Sequence, residues 1–366
     1  MNKKIWLCGD VHLGKNPLDS AKWLRHLNDY FYNFFIEEIK SKYKDGHECF
    51  FLGDIFDSRV SINLEILNFG VRLFEDLSKI LPVKIILGNH DMLAMKDTTI
   101  NSLCAIRNIP NVTVYDKPTW IDLDGKSALM MPWQNGSEKE ILESKGGDLL
   151  FAHSDLKSAK TQINVTRPIN KSLPDIEWFK GFKRVYASHI HLRQTIDNMT
   201  YIGSPYHLCR SDIGNKKGIY VHDVDSNRNL FIENNISPEY DKLIINSELD
   251  LTNIMNNDYN NKLIDIIIKK SVIASNPKIK AMLDLFSNKH KVEEISYIDD
   301  LKTSEVIANV EDIDLSNLDI KSITYEACDN IALNKDIDIL DEIDLKENCK
   351  LEVEKIFNIY AENVKR

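Results

Sequence analysis

No stretch of this sequence approaches the roughly 18 uninterrupted apolar residues that a membrane-spanning helix needs. The segment from Met1 to Asp10 carries two lysines, but it meets Asp10 after only a handful of apolar residues, too soon for a signal-peptide core. These absences lead us to expect a soluble, cytoplasmic protein with no membrane association. Paired cysteines are missing too. Cys8, Cys49, Cys104, Cys209, Cys328 and Cys349 are scattered, with no C-x-x-C spacing, which argues against a zinc knuckle or redox pair and for reduced, buried thiols. There is no internal repeat and no low-complexity tract. Basic excess is also lacking. The net charge is -10, a poor match for nucleic acid, because phosphates are bound through clustered Lys and Arg. If DNA is the substrate, help must come from elsewhere. The imbalance is local: residues 1–240 hold 30 acidic and 30 basic side chains, whereas residues 241–366 hold 26 and 16. The chain changes character near residue 240.

What is present points to a folded, multidomain chain. Its 366 residues leave room for two or three domains, and 43% hydrophobic with 28% charged residues is ordinary globular usage, which excludes a wholly disordered, collagenous or coiled-coil protein. Short apolar runs alternate with amphipathic stretches. Lys4–Gly9, Cys49–Gly53, Val83–Leu87, Leu149–Ala152, Arg184–Ala187, Thr200–Ile202 and Gly218–His222 read as strands, with Leu230–Glu233 as a last edge. Val112–Met131 is strand-rich, and Asp124 with Gly125 reads as its hairpin turn. Helices are expected over Ser20–Tyr43, over Leu64–Leu81 with an apolar face of Leu67, Val71, Phe74 and Leu77, and briefly near Ser102–Arg107. The alternation implies an α/β sandwich of strands and helices.

Beyond residue 240, Lys262–Lys269 and Glu294–Ile298 read as strands flanking a short helix, Pro277–Phe286, a small β-α-β module. From Leu345 to Val364, apolar residues at Cys349, Val353, Ile356, Tyr360 and Val364 mark an amphipathic terminal helix. It either packs on its own chain or docks on a partner helix or coiled coil.

Five motifs hold His, Asp and Asn just after strand candidates: Asp10 with His12; Asp54 with Asp57; Asn89, His90 and Asp91; His153; and His189 with His191. In an open α/β sheet, loops at the carboxyl ends of strands converge on one crevice, so these distant residues can meet. Imidazole, carboxylate and amide carbonyl suit divalent ions such as Mn, Fe or Zn, and no thiolate is placed to compete. Seven such ligands exceed what one ion requires. Two ions about 3.5–4 Å apart, bridged by one carboxylate, would use them all and clamp a phosphate. His26, His47, His207, His222 and His290 lie outside the motifs and read as structural.

The five motifs, in this order, resemble those of the calcineurin-like metallophosphoesterase superfamily, and within it the SbcD-type nuclease subunits of double-strand-break processing complexes. The segments Phe51–Arg59, Met131–Trp133, Ser188–His191 and Tyr201–Pro205 are most similar to the T-even phage branch, the recombination endonuclease subunits. The likeness spans about residues 1–235 and thins after residue 240. It implies a metallophosphoesterase β-sandwich flanked by helices over residues 1–240, a small α+β capping domain over 241–315, and C-terminal helices that bind the ATPase over 316–366.

Residue by residue, the resemblance implies a first metal held by Asp10, His12, the bridging Asp54 and His191, and a second held by Asp54, Asn89, His153 and His189. Family habit points to Mn, although Mg, Fe and Zn suit the same ligands. His90 takes the place of the family's catalytic histidine, steadying the phosphate and protonating the leaving oxygen. Asp91 either orients that imidazole or caps its loop. Asp57 stands where cellular relatives often carry His, and as a carboxylate behind the site it could orient a ligand histidine. Ser188 stands where the family usually has Gly, a cost if the backbone there needs a positive φ.

The implied function is phosphodiester hydrolysis by a DNA nuclease subunit, an exonuclease or endonuclease, that processes DNA ends in repair or recombination. The implied partners are DNA, an SbcC-type coiled-coil ATPase and a second copy of the chain, with Tyr30–Ile39 and Leu64–Phe74 as dimer segments unless core packing accounts for them. The setting would be the cytoplasm of a bacterial or phage-infected cell. Two alternatives share the motifs: a small-molecule phosphodiesterase or phosphatase, and a non-catalytic scaffold that keeps the metals only for folding. Lys15, Arg59 and Lys96 lie near motif loops, and solvated surface explains each of them.

Overall fold

Strands that are apolar on both faces need cover on both sides, and the early strands of this chain are of that kind. The computed structural model describes residues 3–15, 20–94, 97–163, 172–276 and 278–298. All belong to one compact unit, Met1–Val310; a second unit, Glu311–Arg366, lies outside the described residues, and with it the expected helix over Leu345–Val364.

Chain order begins β1 (Lys4–Cys8), α1 (Ser20–Asn28), α2 (Ile36–Lys42), β2 (Glu48–Phe51), α3 (Leu64–Ser78) and β3 (Val83–Ile86). A small hairpin of β4 (Met92–Ala94) and β5 (Asp97–Asn101) precedes β6 (Val112–Tyr115), β7 (Thr119–Leu123) and β8 (Lys126–Met131). Then come α4 (Glu138–Ser144), β9 (Gly147–His153), β10 (Phe182–Ser188), β11 (Gln194–Ile196), β12 (Met199–Tyr201), β13 (Gly218–Asp223) and β14 (Arg228–Glu233). Two six-stranded sheets result, ordered β14-β13-β1-β2-β3-β6 and β11-β12-β10-β9-β8-β7. The first is parallel from β1 to β6, and in the second β8, β9, β10 and β12 run parallel.

Period-two alternation sorts each strand between layers. Ile5 and Leu7 join Phe50, Leu52, Met130, Leu149 and Phe151 in a core shared by the two sheets. Trp6 and Cys8, pointing the other way, join Cys49, Phe51, Val83 and Ile85 beneath the helices. Leu150 and Ala152 face a third core with Leu142 of α4 and Phe179. The architecture is therefore the expected α/β sandwich.

Two helices differ in detail from the sequence expectation. The segment Ser20–Tyr43 is helical but interrupted by a π-helical stretch, Asp29–Phe35, where Tyr30, Phe31 and Phe35 are buried; the wider turn seats Tyr30 against Tyr206, with ring centroids 5.1 Å apart. In α3 the buried face is Ile66, Phe69, Gly70, Leu73, Phe74 and Leu77, so Leu67 and Val71 only flank it. Gly70 sets that rotation: a Cβ there would lie 2.9 Å from the Phe56 ring. The apolar residues of the expected dimer segments are largely core, with Tyr30, Phe31, Phe35, Ile36, Ile39, Phe69 and Phe74 all buried in their own chain, whereas Leu64 is 72% exposed.

A third sheet, all parallel, comprises β15 (Glu239–Ile245), β16 (Lys262–Lys269) and β17 (Val292–Ile298), with β16 central. It packs with α5 (Glu248–Met255), α6 (Lys270–Ser275) and α7 (Lys278–Lys289) around its own core of Ile245, Ile264, Ile266, Ile268, Leu283 and Phe286. Arg210 ties it to the sandwich: its Nε lies 2.5 Å and its Nη2 3.2 Å from the Asp265 carboxylate. The Tyr240 N–H also donates to His207 Nδ1 at 3.1 Å. No helix among the described residues is long and apolar enough to cross a membrane.

Candidate metal centre

Every motif follows the carboxyl end of a strand: β1 leads to Asp10 and His12, β2 to Asp54, β3 to Asn89, His90 and Asp91, β9 ends at His153, and β10 leads to His189 and His191. Backbone hydrogen bonds zip the first two loops together, from the Asp10 N–H to the Gly53 carbonyl at 3.2 Å and from the His12 N–H to the Asp54 carbonyl at 2.9 Å. The Asp10 carboxylate reaches across to accept the His189 N–H at 2.9 Å, joining the first loop to the last. Four of these residues have left-handed backbones, with φ of 49° at Asp10, 47° at His12, 53° at Asp54 and 94° at His189. Such conformations each cost of order 1–3 kcal/mol and persist where the surroundings dictate them.

The loops bring two ligand clusters together, Asp10 with His12 and His191, and Asp54 with His153 and His189, each with its ligand atoms within 4.8 Å of one another. Asn89 belongs with the second, its Oδ1 lying 2.9 Å from His153 Nε2 and 2.8 Å from His189 Nδ1. Asp54 stands between the two: its Oδ2 is 3.5 Å from His12 Nε2 and 3.4 Å from His153 Nε2. All seven residues named from the sequence are therefore gathered at one place. His12 Nε2 and His191 Nε2 face each other at 3.1 Å, within hydrogen-bond distance, so both rings turn these nitrogens to the same point.

Carbonyls and carboxylates behind the clusters fix the rings. The Leu52 carbonyl holds His153 Nδ1 at 2.7 Å, which turns Nε2 towards Asp54. Asp57 does the same for His12, with Oδ1 3.0 Å from Nδ1. His90 donates its backbone N–H to Asp54 Oδ1 at 2.8 Å, and its ring Nδ1 lies 2.6 Å from the Asp57 carbonyl. Asp91 serves its loop: the carboxylate accepts the backbone N–H groups of Ile55, Phe56 and Gly88 at 3.0, 3.2 and 3.0 Å, and the Ser102 hydroxyl. The group that fixes the His90 ring is thus the Asp57 carbonyl.

Charge at the centre is strongly biased. Burial opposes ionisation of Asp54, yet the imidazoles of His153, His12 and His90 outweigh it and hold the carboxyl well below its ordinary range. Burial also opposes charge on His153, but Asp54, with Asp10 and the Leu52 carbonyl, lifts it to about 9. Burial and the neighbouring His12 push His191 well down. Burial lowers His90 too, against the pull of Asp54. Burial and the Asp54 charge raise Asp91 to about 6 despite its backbone donors. An ionised carboxylate buried among imidazoles is a fitting place for a cation.

Further residues pack against the ligands. Gly88 lies so close to Asp54 that a Cβ would meet its Oδ1 at 2.1 Å. The Trp133 ring sits 4.8 Å from the ring of His189 and 6.0 Å from that of His153, with its Nε1 buried and unpartnered. Buried Asp155 lies 3.7 Å from His189 Nε2. The glycines at 9, 53 and 88, each next to or one step before a ligand, were the available sequence signal for such close packing. Lys15 is half-buried near Asp57, whereas Lys96 lies outside the described residues.

Over residues 3–260 the sequence matches the calcineurin-like phosphoesterase family. The chain belongs to this family. Exonuclease subunit 1 of Enterobacteria phage T4 is 28% identical over 241 residues, covering 63% of this chain and 68% of that protein. Putative phosphoesterase 244L of Invertebrate iridescent virus 6 is 25% identical over 216 residues, 56% of this chain and 70% of that protein. A solved structure of an archaeal phosphodiesterase aligns at 12% identity and a TM-score of 0.33, covering 63% of this chain and 99% of that one. As a calcineurin-like phosphoesterase the protein works with divalent metals, and the two clusters flanking Asp54 are where this chain gathers suitable ligand atoms.

Proposed function

We propose that this phosphoesterase is a two-metal DNA nuclease subunit, acting on DNA ends in repair or recombination together with an SbcC-type ATPase. The observation that carries the reading is the position of Asp54 Oδ2, 3.5 Å from one cluster's His12 and 3.4 Å from the other's His153, as a carboxylate bridge requires. The donor set fits two divalent ions: Asp10, His12, Asp54 and His191 would hold one, and Asp54, Asn89, His153 and His189 the other. Manganese is our first choice. Bound there, the ions would supply a nucleophile and neutralise charge on the phosphate.

The chain's own residues do the remaining work. His90, held through its backbone by Asp54 and through its ring by the Asp57 carbonyl, presents Nε2 to the phosphate and hands a proton to the leaving alcohol. Because Asp57 also holds His12, one loop sets both the acid and a ligand. Asp91 ties the Asp54 and His90 loops together and thereby fixes their separation. Trp133 covers His189 and His153 and excludes water from their outer edges.

The similarity to Exonuclease subunit 1 of phage T4 supports DNA as the substrate and a multisubunit assembly. The net charge of -10 supports reliance on a partner for DNA affinity. For a second copy of the chain, the support is the exposed apolar pair Val60 and Leu64 at the start of α3. The test is Mn-dependent degradation of linear DNA, with His90→Ala alongside and bis-p-nitrophenyl phosphate as a small diester. We expect both substrates to be cut and both activities to be lost in the variant. Full activity of His90→Ala would overturn the catalytic assignment, and cleavage of the small diester but of no DNA, even with the ATPase partner added, would make the protein a small-molecule phosphodiesterase.

A further inference from the structure

A buried ion pair outside the ligand set stands behind His191. Lys217 and Asp212 are 4% and 2% exposed and pair with each other. Such a pair contributes little net stability, because the desolvation of both charges offsets their attraction, and neutral side chains of similar volume serve as well. Its presence asks for another role, and the remaining contacts of the two side chains supply one. Lys217 Nζ also donates to the main-chain carbonyl of His191, at 2.7 Å.

Both partners of that contact are fixed. Asp212 ends the short turn Arg210–Asp212, and its Oδ2 accepts the N–H groups of Leu208 and Cys209 at 2.8 and 3.2 Å. Arg210 of the same turn is anchored on Asp265 of the third sheet. Lys217 immediately precedes β13, which runs antiparallel to β1 with Tyr220 opposite Leu7, so it enters beside the end of β1 that leads to Asp10 and His12. The His191 carbonyl is gripped from elsewhere too: the Ser204 N–H donates to it at 3.3 Å, and a Cβ on Gly203 would lie 2.7 Å from that oxygen. Ring ligands are thus held in two ways. His12 and His153 are fixed through a ring nitrogen, by Asp57 and the Leu52 carbonyl, whereas His191 is fixed through its main chain. His191, Cys209 and Asp212 also bring ligand atoms within 4.8 Å of one another, but Lys217 already neutralises that carboxylate, so the group is a brace and not a third metal site.

We propose that Lys217 is a positioning residue for metal binding: held by Asp212, it clamps the His191 main chain so that the imidazole meets the ion assigned to Asp10, His12, Asp54 and His191. This rests on the two-metal reading above and adds the group that aims one of its ligands. An ammonium suits the task, since it offers several donors from one point and can serve a carboxylate and a carbonyl together. The opposing influence is Coulombic, because a positive charge beside a cation site repels the cation. Positioning and charge therefore predict opposite signs when the lysine is removed.

The experiment is calorimetric titration of the metal-free full chain with Mn, for the wild type, for Lys217→Met, and for Lys217→Met combined with Asp212→Asn, with urea unfolding as the check that each is folded. The wild type should take up two ions. In the double variant, which leaves no unpaired buried charge, one ion should bind about 10- to 100-fold more weakly and the other as in the wild type. Lys217→Met alone supplies the sign: loss of the positive charge would tighten binding, loss of positioning weakens it, and we expect weakening of the same ion. This single variant also carries the test if the double one does not fold, because its Asp212 still accepts two N–H groups. With His191→Ala as the starting protein, Lys217→Met should add no further loss. Unchanged or tighter binding in the Lys217 variants, or a further loss in the His191→Ala protein, would overturn the proposal. A wild-type chain that takes up one ion or none would overturn the two-metal reading itself, a result distinguishable from failure of Lys217 alone.

Discussion

Ser188 carries a buried hydroxyl that has no hydrogen-bond partner. The sequence marked this residue because glycine is usual there, and the anticipated cost was a strained backbone. The left-handed residue is instead its neighbour, His189, with φ of 94°. What Ser188 needs is space, and Gly9 provides it: a Cβ on Gly9 would lie 2.2 Å from Ser188 Oγ and 3.1 Å from its Cβ. Two positions far apart in sequence are thus coupled by sterics that no single-sequence reading registers. Gly9→Ala should destabilise the fold by about 1–3 kcal/mol through overpacking, and Ser188→Gly should restore most of it, since it removes the two nearest atoms and leaves Ile202 Cδ1 at 3.3 Å as the next. Urea unfolding of the two single variants and the double variant would measure this; effects additive to within about 0.5 kcal/mol would refute the coupling.

The histidines outside the motifs teach the converse. His26, His47, His207, His222 and His290 are all buried, in keeping with the structural reading given to each. Burial lowers His26 to about 4, and burial with Arg184 nearby lowers His222 to about 4. A base depressed on folding stabilises the native state above its unfolded pKa near 6.5, and that stability is lost as pH falls towards 4, at up to about 1.4 kcal/mol per pH unit for each group. Replacing His222 by Gln, which can still meet the Tyr186 hydroxyl now 2.9 Å from Nδ1, should flatten the fall in unfolding free energy between pH 6 and 4.5 by about one proton's worth. An unchanged slope in urea titrations at those pH values would count against the depressed pKa.

Elements with apolar residues on both faces were legible, because burial on two sides leaves an unbroken run such as Ile5–Cys8 or Cys49–Leu52. Elements shaped by contacts were not. The hairpin of β4 and β5 is short, and its second strand, Asp97–Asn101, is mostly polar and largely exposed. β15 hid because its first half, Glu239–Lys242, is mostly polar, although the strand pairs in parallel with β16 along its whole length. The face of α3 was misjudged by about a fifth of a turn because Gly70 counts as no side chain in a hydrophobic pattern, yet its close approach to Phe56 brings that side of the helix inward. At this scale the bond between the sandwich and the third sheet is the thing to test. Asp265 is 7% exposed and accepts two hydrogen bonds from Arg210, so Asp265→Asn should weaken that attachment by about 1.5–3 kcal/mol. Hydrogen exchange should then quicken in Glu239–Ile245 and Lys262–Lys269 while Lys4–Cys8 keeps its protection. Equal loss in all three strands would mean that the sheets unfold as one cooperative unit.

For the molecule as a whole, the candidate centre was readable from sequence because its ligands follow strands that the hydrophobic pattern reveals. The packing roles of Gly9, Gly88 and Trp133 were not, because each acts through a neighbour distant in sequence. The centre also stores free energy: four left-handed non-glycine residues and a buried carboxylate, Asp54, are held there by the sandwich. Ions that bind the folded state alone must then stabilise it, by about 2.7 kcal/mol at a hundredfold excess over Kd, and for a unit spanning Met1–Val310 that amounts to a rise in Tm of roughly 4 °C. Asp54→Ala removes the carboxylate that reaches towards both His12 and His153 and should abolish the rise, whereas His90→Ala should retain it while losing cleavage. Running the titration with Mn, Mg, Fe and Zn in turn ranks the ions by the same readout. An Asp54→Ala protein that still gains the wild-type increment would show that the metals bind elsewhere. A His90→Ala protein that gains none would make that histidine a ligand, and the division of labour between ligands and acid would have to be redrawn.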